Sequence, residues 1–296
     1  MKTMRVLVTG SGGLVGKEVI SALKQKKHKI IEFDLVNGKS ILNENQLLNS
    51  LKGIDAVIHL AGIIENENPS LWKINVEGTQ QVTSAAIKSK VKKLIFMSST
   101  AVYGNTKEKV DETTQIDPEN DYEKSKVEGE KIVLSAKNKL GAIVIRSAMV
   151  FGPNEYWRKM FHMLEKDYPL PCSGKNTFQV VYTKELARAI VQILTHGENG
   201  EIYLVSGKEK KTLNEFCEMV QKEMGIKIGV KHIPTFIGIL AGKILRMKVL
   251  TKENIRHLSK ERNYDISKLE KTGYKQKISL EKAIKEVIDE LNKKKK

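Results

Sequence analysis

A tyrosine and a lysine four residues apart, Tyr122 and Lys126, lie in a segment with helical spacing. Residues at i and i+4 share one face of a helix, so the ammonium can approach the phenol. A nearby positive charge stabilises the phenolate and lowers the pKa of a tyrosine from its usual value of about 10. The pair therefore predicts a general acid and base, although this spacing alone is common on exposed helices.

Three glycines follow the first apolar run of the sequence, residues 5–9. Gly10, Gly13 and Gly16 have the spacing G-x-x-G-x-x-G, and a segment with helical spacing comes next. Glycines in such a turn let the backbone approach a pyrophosphate, and the N-terminus of the following helix favours negative charge. Because a predicted strand precedes the glycines and a predicted helix follows them, they indicate a dinucleotide site.

An aspartate, Asp34, follows the second predicted strand, 18 residues beyond Gly16. A carboxylate there can accept hydrogen bonds from both hydroxyls of an adenosine ribose, and it would repel a 2′-phosphate. The residue therefore favours NAD over NADP. A turn-forming aspartate after a strand is the alternative, and Lys39 close by would suit a phosphate.

Two regions with different patterns position these residues. Up to about residue 150, short runs rich in β-branched residues alternate with helical segments, which is typical of βαβ units. The predicted strands are residues 5–9, 29–33, 56–60, 93–98 and 142–146, and the predicted helices 16–24, 75–88 and 122–136. Beyond Pro153 we predict helices at 156–166, 183–194, 213–224 and 280–291, and strands at 202–205 and 227–232. The expected fold is α/β: a Rossmann-like doubly wound parallel sheet over 1–153, with a smaller mixed substrate-binding region over 154–296 that returns segments to the sheet.

Three further motifs separate the glycines from the Tyr–Lys pair: HLAG at residues 59–62, NVEGT at 75–79 and SSTAVYG at 98–104. Taken in this order, the motifs resemble the extended short-chain dehydrogenase/reductase family, in its NAD-dependent epimerase/dehydratase branch. The resemblance covers nearly the whole chain and is strongest over residues 4–153. It implies NAD as the cofactor.

The resemblance also implies a role for each matching residue. Tyr122 would take a proton from a secondary alcohol as hydride leaves for the nicotinamide. Lys126 would hold the nicotinamide ribose, and Ser99 would hydrogen-bond the reacting oxygen. The cofactor contacts it implies are Gly10, Gly13, Leu14, Val15, Gly16, Asp34, Leu60, Ala61, Gly62, Asn75, Ser98, Tyr122 and Lys126.

The sequence departs from the family pattern where the substrate would bind. Dehydratases of the family carry an acidic pair directly after the catalytic serine, and this chain has Thr100 and Ala101. Sugar-nucleotide epimerases typically carry an asparagine where Met149 stands, and a thioether cannot donate to phosphate as an amide does. We expect substrate contacts from Thr100, Met149 and Asn154.

Three functions follow from these observations. The leading interpretation is NAD-dependent hydride transfer at a secondary alcohol or ketone carbon by a sugar-nucleotide epimerase-type enzyme. The substrate-site departures favour an alternative, an oxidoreductase like 3β-hydroxysteroid dehydrogenase or dihydroflavonol reductase acting on a less charged substrate. The apolar residues 234–250 would suit a pocket wall, an interfacial helix or a packing helix. A catalytically inert NAD-binding sensor or assembly subunit is the third interpretation, and the retained Ser–Tyr–Lys set argues against it.

Composition limits the partners. The 296 residues include 51 Lys and Arg against 35 Asp and Glu, a formal charge of +16. Of these basic residues 44 are lysines, whereas nucleic-acid sites rely on the planar fork of arginine, so we predict no nucleic-acid partner. The first 200 residues hold 28 basic and 22 acidic residues, and the last 96 hold 23 and 13. The excess therefore lies late in the chain.

Targeting and metal signals are weak. The longest apolar run near the C-terminus, residues 236–242, is shorter than the roughly 20 residues that cross a bilayer, so we predict no transmembrane span, and peripheral membrane contact stays open. Cys172 and Cys217 lack the spacing of a zinc site or a disulfide framework. We expect no metal, no secretion signal, a reducing, cytoplasmic location, a small-molecule substrate and a homodimer.

Overall fold

Six parallel strands form the central sheet of the computed structural model, which describes residues 3–106, 108–244 and 251–293. Two short strands lie outside this sheet. In chain order the strands of the described residues are β1 (Arg5–Thr9), β2 (Lys29–Phe33), β3 (Ala56–His59), β4 (Lys93–Ser99), β5 (Gly141–Ser147), β6 (Val150–Phe151), β7 (Val181–Tyr182) and β8 (Ile202–Val205). The sheet has the order β2-β1-β3-β4-β5-β8, and β6 pairs with β7 in a separate parallel ribbon. The sheet is therefore of the predicted doubly wound, Rossmann-like class.

Helices cover both faces of the sheet. They are α1 (Leu14–Gln25), α2 (Glu44–Ser50), α3 (Gly78–Lys88), α4 (Asp121–Ser135), α5 (Glu155–Glu165), α6 (Thr183–His196), α7 (Leu213–Met224), α8 (Thr235–Ile244), α9 (Lys252–Ser259), α10 (Ser267–Lys271) and α11 (Leu280–Lys293). Apolar residues of α1 and α6 share one core with the sheet, and those of α2, α3 and α4 share the other. Burial on both faces explains why the strands are almost continuously apolar.

A further core of aromatic residues lies in the C-terminal half. Phe151, Trp157, Phe178 and Phe216 pack against one another, several of them edge to face. Residues of α5, α7 and α11 surround these rings. Because α6 and β8 nevertheless belong to the main sheet layer, the boundary at residue 153 remains a prediction.

The sequence-based predictions agree closely with the strands of the main sheet and less well elsewhere. The strand predicted over residues 227–232 is wrong: only a single bridge joins Leu170 to His232 there, and Gly229 has a φ of +127°. The helix predicted from Asn75 begins instead as a wide turn of π geometry, Lys73–Glu77, which leads into α3. Of the apolar residues 234–250, those numbered 245–250 lie outside the described residues.

No helix within the described ranges is long and apolar enough to span a membrane. All six strands of the sheet are parallel, so their carboxyl ends meet at one edge. Ligands of doubly wound folds bind outside that edge. The glycine turn after β1 and the serines at the end of β4 both lie there.

A buried ion pair holds α4 against β5. The Arg146 guanidinium donates to both carboxylate oxygens of Glu130, at 3.0 Å from Nε and 2.7 Å from Nη2. The same guanidinium donates to the Tyr103 hydroxyl at 3.0 Å. Both ionic side chains are only 5% exposed. The pair therefore anchors the helix that carries Tyr122 and Lys126.

We expect Glu130→Gln to destabilise the fold by about 3–5 kcal/mol, because it leaves the buried Arg146 charge uncompensated. Urea unfolding followed by tryptophan fluorescence measures the change. Glu128→Gln is the matched control, since Glu128 pairs with Lys131 at the surface of the same helix, and such pairs contribute about 0–1 kcal/mol. Equal losses in the two variants would contradict the structural role of the pair.

Candidate active site

The glycine turn after β1 requires its glycines. Gly10 has a φ of +68°, and a Cβ there would lie 2.7 Å from the backbone nitrogen of Ala61. A Cβ on Gly16 would collide with the carbonyl oxygen of Gly10. The turn therefore packs backbone against backbone, both within itself and against the residues that follow β3.

The N-terminus of α1 faces this turn without a side-chain cap. Its N-cap residue is Gly13, whereas Asn120 caps α4 by accepting a hydrogen bond from Glu123 N–H. Uncapped N–H groups at a helix start favour phosphate oxygens. Among the described residues, the buried Ser11 hydroxyl of the same turn has no hydrogen-bond partner. These features fit the diphosphate of a dinucleotide at the predicted residues Leu14 and Val15.

Asp34 is held beside the glycine turn. Its Oδ2 accepts a hydrogen bond from Gly12 N–H at 2.9 Å, and its Oδ1 accepts one from Val36 N–H at 3.0 Å. A carboxylate fixed at the end of β2 suits the ribose hydroxyls of adenosine. Lys39 donates to the Glu32 carbonyl at 3.3 Å.

A buried histidine organises the ends of β1 and β3. His59 Nδ1 lies 2.7 Å from the Thr9 hydroxyl, and its Nε2 lies 3.0 Å from the Thr79 hydroxyl. Thr79 donates to the Asn75 carbonyl, and Thr9 accepts from Ala61 N–H, so Nε2 is the protonated nitrogen. Burial lowers the pKa of His59 to about 3, helped by the charge of Lys126. The ring is therefore neutral and structural.

Asn75 joins the loop after β3 to the helix α4. Its Oδ1 accepts from Ile63 N–H at 2.8 Å, and its Nδ2 donates to the Ile63 carbonyl at 2.9 Å and to the Ser125 hydroxyl at 3.0 Å. Ser125 in turn donates to the Tyr122 carbonyl at 2.7 Å. The predicted cofactor residue Asn75 thus also positions the helix that carries the catalytic pair.

Lys126 extends towards the carboxyl edge of the sheet. Its ammonium donates to the Met97 carbonyl at 3.2 Å and lies 5.2 Å from the centre of the Phe96 ring. A Cβ on Gly62 would lie 3.2 Å from it and 3.1 Å from Asn75 Oδ1, so the predicted turn residue packs closely against both side chains. Burial lowers the pKa of Lys126 to about 8, against the opposing charge of Glu130.

Tyr122 lies close to both other members of the predicted set. The Lys126 ammonium is 5.8 Å from the centre of its ring, and the Ser99 side chain hydrogen-bonds its hydroxyl. Burial nevertheless raises the pKa of Tyr122, and the Glu123 charge adds to this, against the Ser99 hydrogen bond. In this structure burial therefore outweighs the pKa-lowering effect predicted for Lys126, and that role remains a prediction for the site with cofactor bound.

The remaining cofactor candidates lie along the same edge. Leu60 and Ala61 follow β3 directly, and Leu60 N–H donates to the Thr9 carbonyl at 3.2 Å. Ser98 ends up buried, and its hydroxyl donates to Glu130 at 2.5 Å. Their cofactor contacts remain predictions.

The three substrate candidates have intramolecular partners. The Thr100 hydroxyl donates to the Tyr264 hydroxyl at 3.0 Å. Asn154 caps α5 by accepting from Trp157 N–H at 3.0 Å. Met149 is half-buried against the aromatic core of the C-terminal half. Their substrate contacts also remain predictions.

Sequence reasoning missed two groups of charges around α4. Glu130 continues the spacing of Tyr122 and Lys126 by four more residues, so the helical period could have indicated it. Glu123 is fully buried, and Lys260 lies 3.4 Å from it and 3.1 Å from Glu119. No local pattern could have paired a lysine with a carboxylate 137 residues earlier.

Residues 6–206 match the model of the NAD dependent epimerase/dehydratase family. The chain belongs to this family. Its cofactor is accordingly NAD, and the glycine turn, Asp34 and the Ser–Tyr–Lys set lie within the matched residues.

Two curated proteins illustrate the relationship. The chain is 26% identical over 299 residues to N-acetyl-alpha-D-glucosaminyl-diphospho-ditrans,octacis-undecaprenol 4-epimerase of Escherichia coli O157:H7, covering 91% of this chain and 89% of that protein. It is 30% identical over 237 residues to human dTDP-D-glucose 4,6-dehydratase, covering 67% of this chain and 68% of that protein.

A solved structure shows the same fold. UDP-glucose 4-epimerase of Thermotoga maritima, solved with UDP-glucose, has a TM-score of 0.82 at 22% identity. The match covers 99% of this chain and 100% of that one. The extra elements of the C-terminal half are therefore part of the shared fold.

We expect Asp34→Asn to weaken NAD binding roughly ten- to hundredfold, because hydrogen bonds to a charged group contribute about 1.5–3 kcal/mol. NADP, which gains nothing from this carboxylate, should lose much less. Titration calorimetry with both cofactors measures the two dissociation constants. Asp55→Asn, at the amino ends of the strands, is the control. Equal constants for NAD and NADP in the wild type would refute the assignment.

The lowered pKa of Lys126 has a consequence for stability at high pH. The unfolded side chain keeps its proton to about pH 10.5 and the folded one to about pH 8, so the unfolded state binds more protons between these values. We expect the wild type to gain stability relative to Lys126→Met as the pH rises from 8 to 10, in the absence of cofactor. Denaturant unfolding at pH 7, 8, 9 and 10 measures it, and a constant difference would contradict the buried ammonium.

Proposed function

We propose that the protein transfers hydride at a secondary alcohol carbon of a sugar carried on a diphosphate, as an epimerase-type enzyme. One observation carries the proposal. Ser99 at the end of β4 and Tyr122 and Lys126 on α4 lie together at the carboxyl edge of the sheet, beside the dinucleotide turn. A protein that only sensed NAD would not need a hydroxyl and a phenol aligned with each other there.

Each residue has a defined task in this reaction. NAD, when bound, supplies a nicotinamide carbon that accepts a hydride and can return it. Tyr122, a phenol in this structure, donates a proton to a ketone oxygen, and as phenolate it removes one from an alcohol. Ser99 donates its one hydroxyl hydrogen bond to the same oxygen. Lys126 binds ribose hydroxyls, and its charge favours the phenolate in the closed site.

The choice of substrate class rests on the relatives and on two departures. The Escherichia coli relative is named for a sugar on a lipid diphosphate, and the Thermotoga maritima neighbour holds UDP-glucose. Both carry the sugar on a diphosphate. Thr100 and Ala101 provide no carboxylates for elimination, which favours epimerisation over dehydration. Substrate would bind between the sheet edge and the region after residue 153, next to Thr100, Met149 and Asn154.

Met149 favours the second candidate, an oxidoreductase acting on a less charged alcohol. Its thioether lies half-buried where the family's epimerases typically carry an amide. A substrate panel separates the candidates: UDP- and dTDP-sugars, polyprenyl-diphosphate sugars, and apolar secondary alcohols. Conversion of a diphosphate-linked sugar without net change in nicotinamide absorbance supports the epimerase. If only the apolar alcohols react, with net reduction of the cofactor, the epimerase proposal is wrong and the second candidate is supported.

We expect Tyr122→Phe to lower kcat by about 10²–10⁴-fold, because it removes the only hydroxyl proposed to move the substrate proton. NAD affinity should stay close to that of the wild type, since the phenol oxygen is not needed for the diphosphate or for Asp34. Tyr168→Phe is the matched control, because Tyr168 is half-exposed and lies outside the site. Wild-type turnover in the Tyr122 variant would contradict the proposed mechanism.

A further inference from the structure

The helix α8 exposes its large apolar side chains. Phe236 and Ile244 are each 71% exposed, Leu240 is 56% exposed and Ile237 is 41% exposed. Positions 236, 240 and 244 follow one another at intervals of four, so they form a single stripe along the helix. Four of the ten exposed large apolar residues in the described part of the chain lie on this one helix.

The opposite face of α8 is fixed against the protein by its smallest residues. Gly238 and Gly242 are the buried positions, and a Cβ on Gly238 would collide with Pro171. The Thr235 hydroxyl donates to the Pro171 carbonyl at 3.0 Å, and Ile239 packs against Met163 and Ile255. The helix therefore cannot turn its bulky stripe inward without driving larger side chains into this contact.

Positive charge accompanies the stripe. Lys243 lies on α8 itself, and Lys227 lies on the preceding segment; both are exposed. Within residues 225–260 the sequence holds eight basic residues and one acidic residue, and three of the basic ones, Lys231, Arg256 and Lys260, already pair with carboxylates of the protein. A second copy of the chain meeting this face about a twofold axis would place like charges opposite each other. An anionic surface complements it instead.

We propose that α8 docks the protein on an anionic membrane surface. Phe236, Leu240 and Ile244 enter the boundary between headgroups and acyl chains, and the lysines contact acidic headgroups. An exposed apolar stripe combined with basic residues is the general signature of a helix that lies in the interface. With only ten residues, α8 lies on the bilayer and does not cross it.

The docking helix is linked to the active site by described contacts. It packs against α9, and Arg256 of α9 forms an ion pair with Glu119. Lys260, just after α9, contacts both Glu119 and Glu123, the latter adjacent to Tyr122. This placement, resting on the proposed function, suits a sugar diphosphate whose carrier is a lipid held in that membrane.

Co-sedimentation with vesicles tests the docking. One set contains phosphatidylglycerol with phosphatidylcholine, and the other contains phosphatidylcholine alone. We expect the wild type to bind the anionic vesicles, more weakly at high salt, and the double variant Phe236→Asp/Leu240→Asp to bind them at least tenfold more weakly. Lys137→Gln/Lys139→Gln changes the net charge by the same amount at exposed positions far along the sequence and should bind like the wild type. Circular dichroism and NAD titration verify that each variant is folded.

Three results would overturn the proposal: a wild type that stays in the supernatant, equal binding by the α8 variant, or equal loss in the lysine control. Sedimentation velocity without vesicles tests whether a second copy of the chain binds this face instead. If the wild type and the lysine control form a dimer and the α8 variant does not, the face is a protein interface.

An activity assay separates docking from the proposed function. The α8 variant should lose at least tenfold in kcat/KM on a polyprenyl-diphosphate sugar in anionic vesicles. It should keep wild-type kcat/KM on a UDP-sugar in solution. Vesicle binding without turnover of either substrate would overturn the proposed function and leave the docking supported. Equal losses on both substrates would contradict the inference that docking serves a substrate carried on a membrane lipid.

Discussion

A line of buried hydrogen bonds crosses the carboxyl edge of the sheet, and the geometry of the active site depends on it. It runs from Thr9 on β1 through His59 on β3 to Thr79 on α3. From there it continues to Asn75 in the turn before α3 and to Ser125 on α4. Each member is buried, and an unpaired buried polar group costs about 1–3 kcal/mol. The strand ends and the catalytic helix therefore hold one relative position, and a neutral histidine serves this purpose better than a charged one.

The charges under the catalytic helix do not balance. Lys126 and Arg146 are buried with one carboxylate, Glu130, between them, and Glu130 is bound tightly by the guanidinium. Burial lowers the pKa of Lys126, and the charge of Glu130 opposes this only in part. The excess positive charge supplies a reason for a tyrosine at this place, because a phenolate formed at Tyr122 would restore the balance in a site of low dielectric.

The elements that follow from a local sequence pattern could be predicted from the sequence. Apolar, β-branched runs located the strands of the main sheet to within a residue or two, and glycine spacing located the turn after β1. The predictions that failed, and the contacts that were missed, depend on residues far apart in the sequence or on burial. Residues 227–232 have strand-like composition but only a single bridge as a partner. The pKa of Tyr122 is raised by burial, which the spacing of Tyr122 and Lys126 does not reveal. Lys260 reaches Glu123 only through the fold.

The apolar residues after 234 show what hydrophobic periodicity can and cannot predict about a helix. A hydrophobic stripe indicates that one face of a helix prefers an apolar environment, and it does not say which environment. In α8 the packed face consists of Gly238 and Gly242, so the stripe that composition alone would place in a core faces outward. On the proposed docking, the exposed Lys227 and Lys243 would lie beside acidic headgroups. Basic residues around an outward apolar stripe reduce the free energy of the chain beside acidic headgroups, whereas the same residues around a buried stripe would contribute only to solvation.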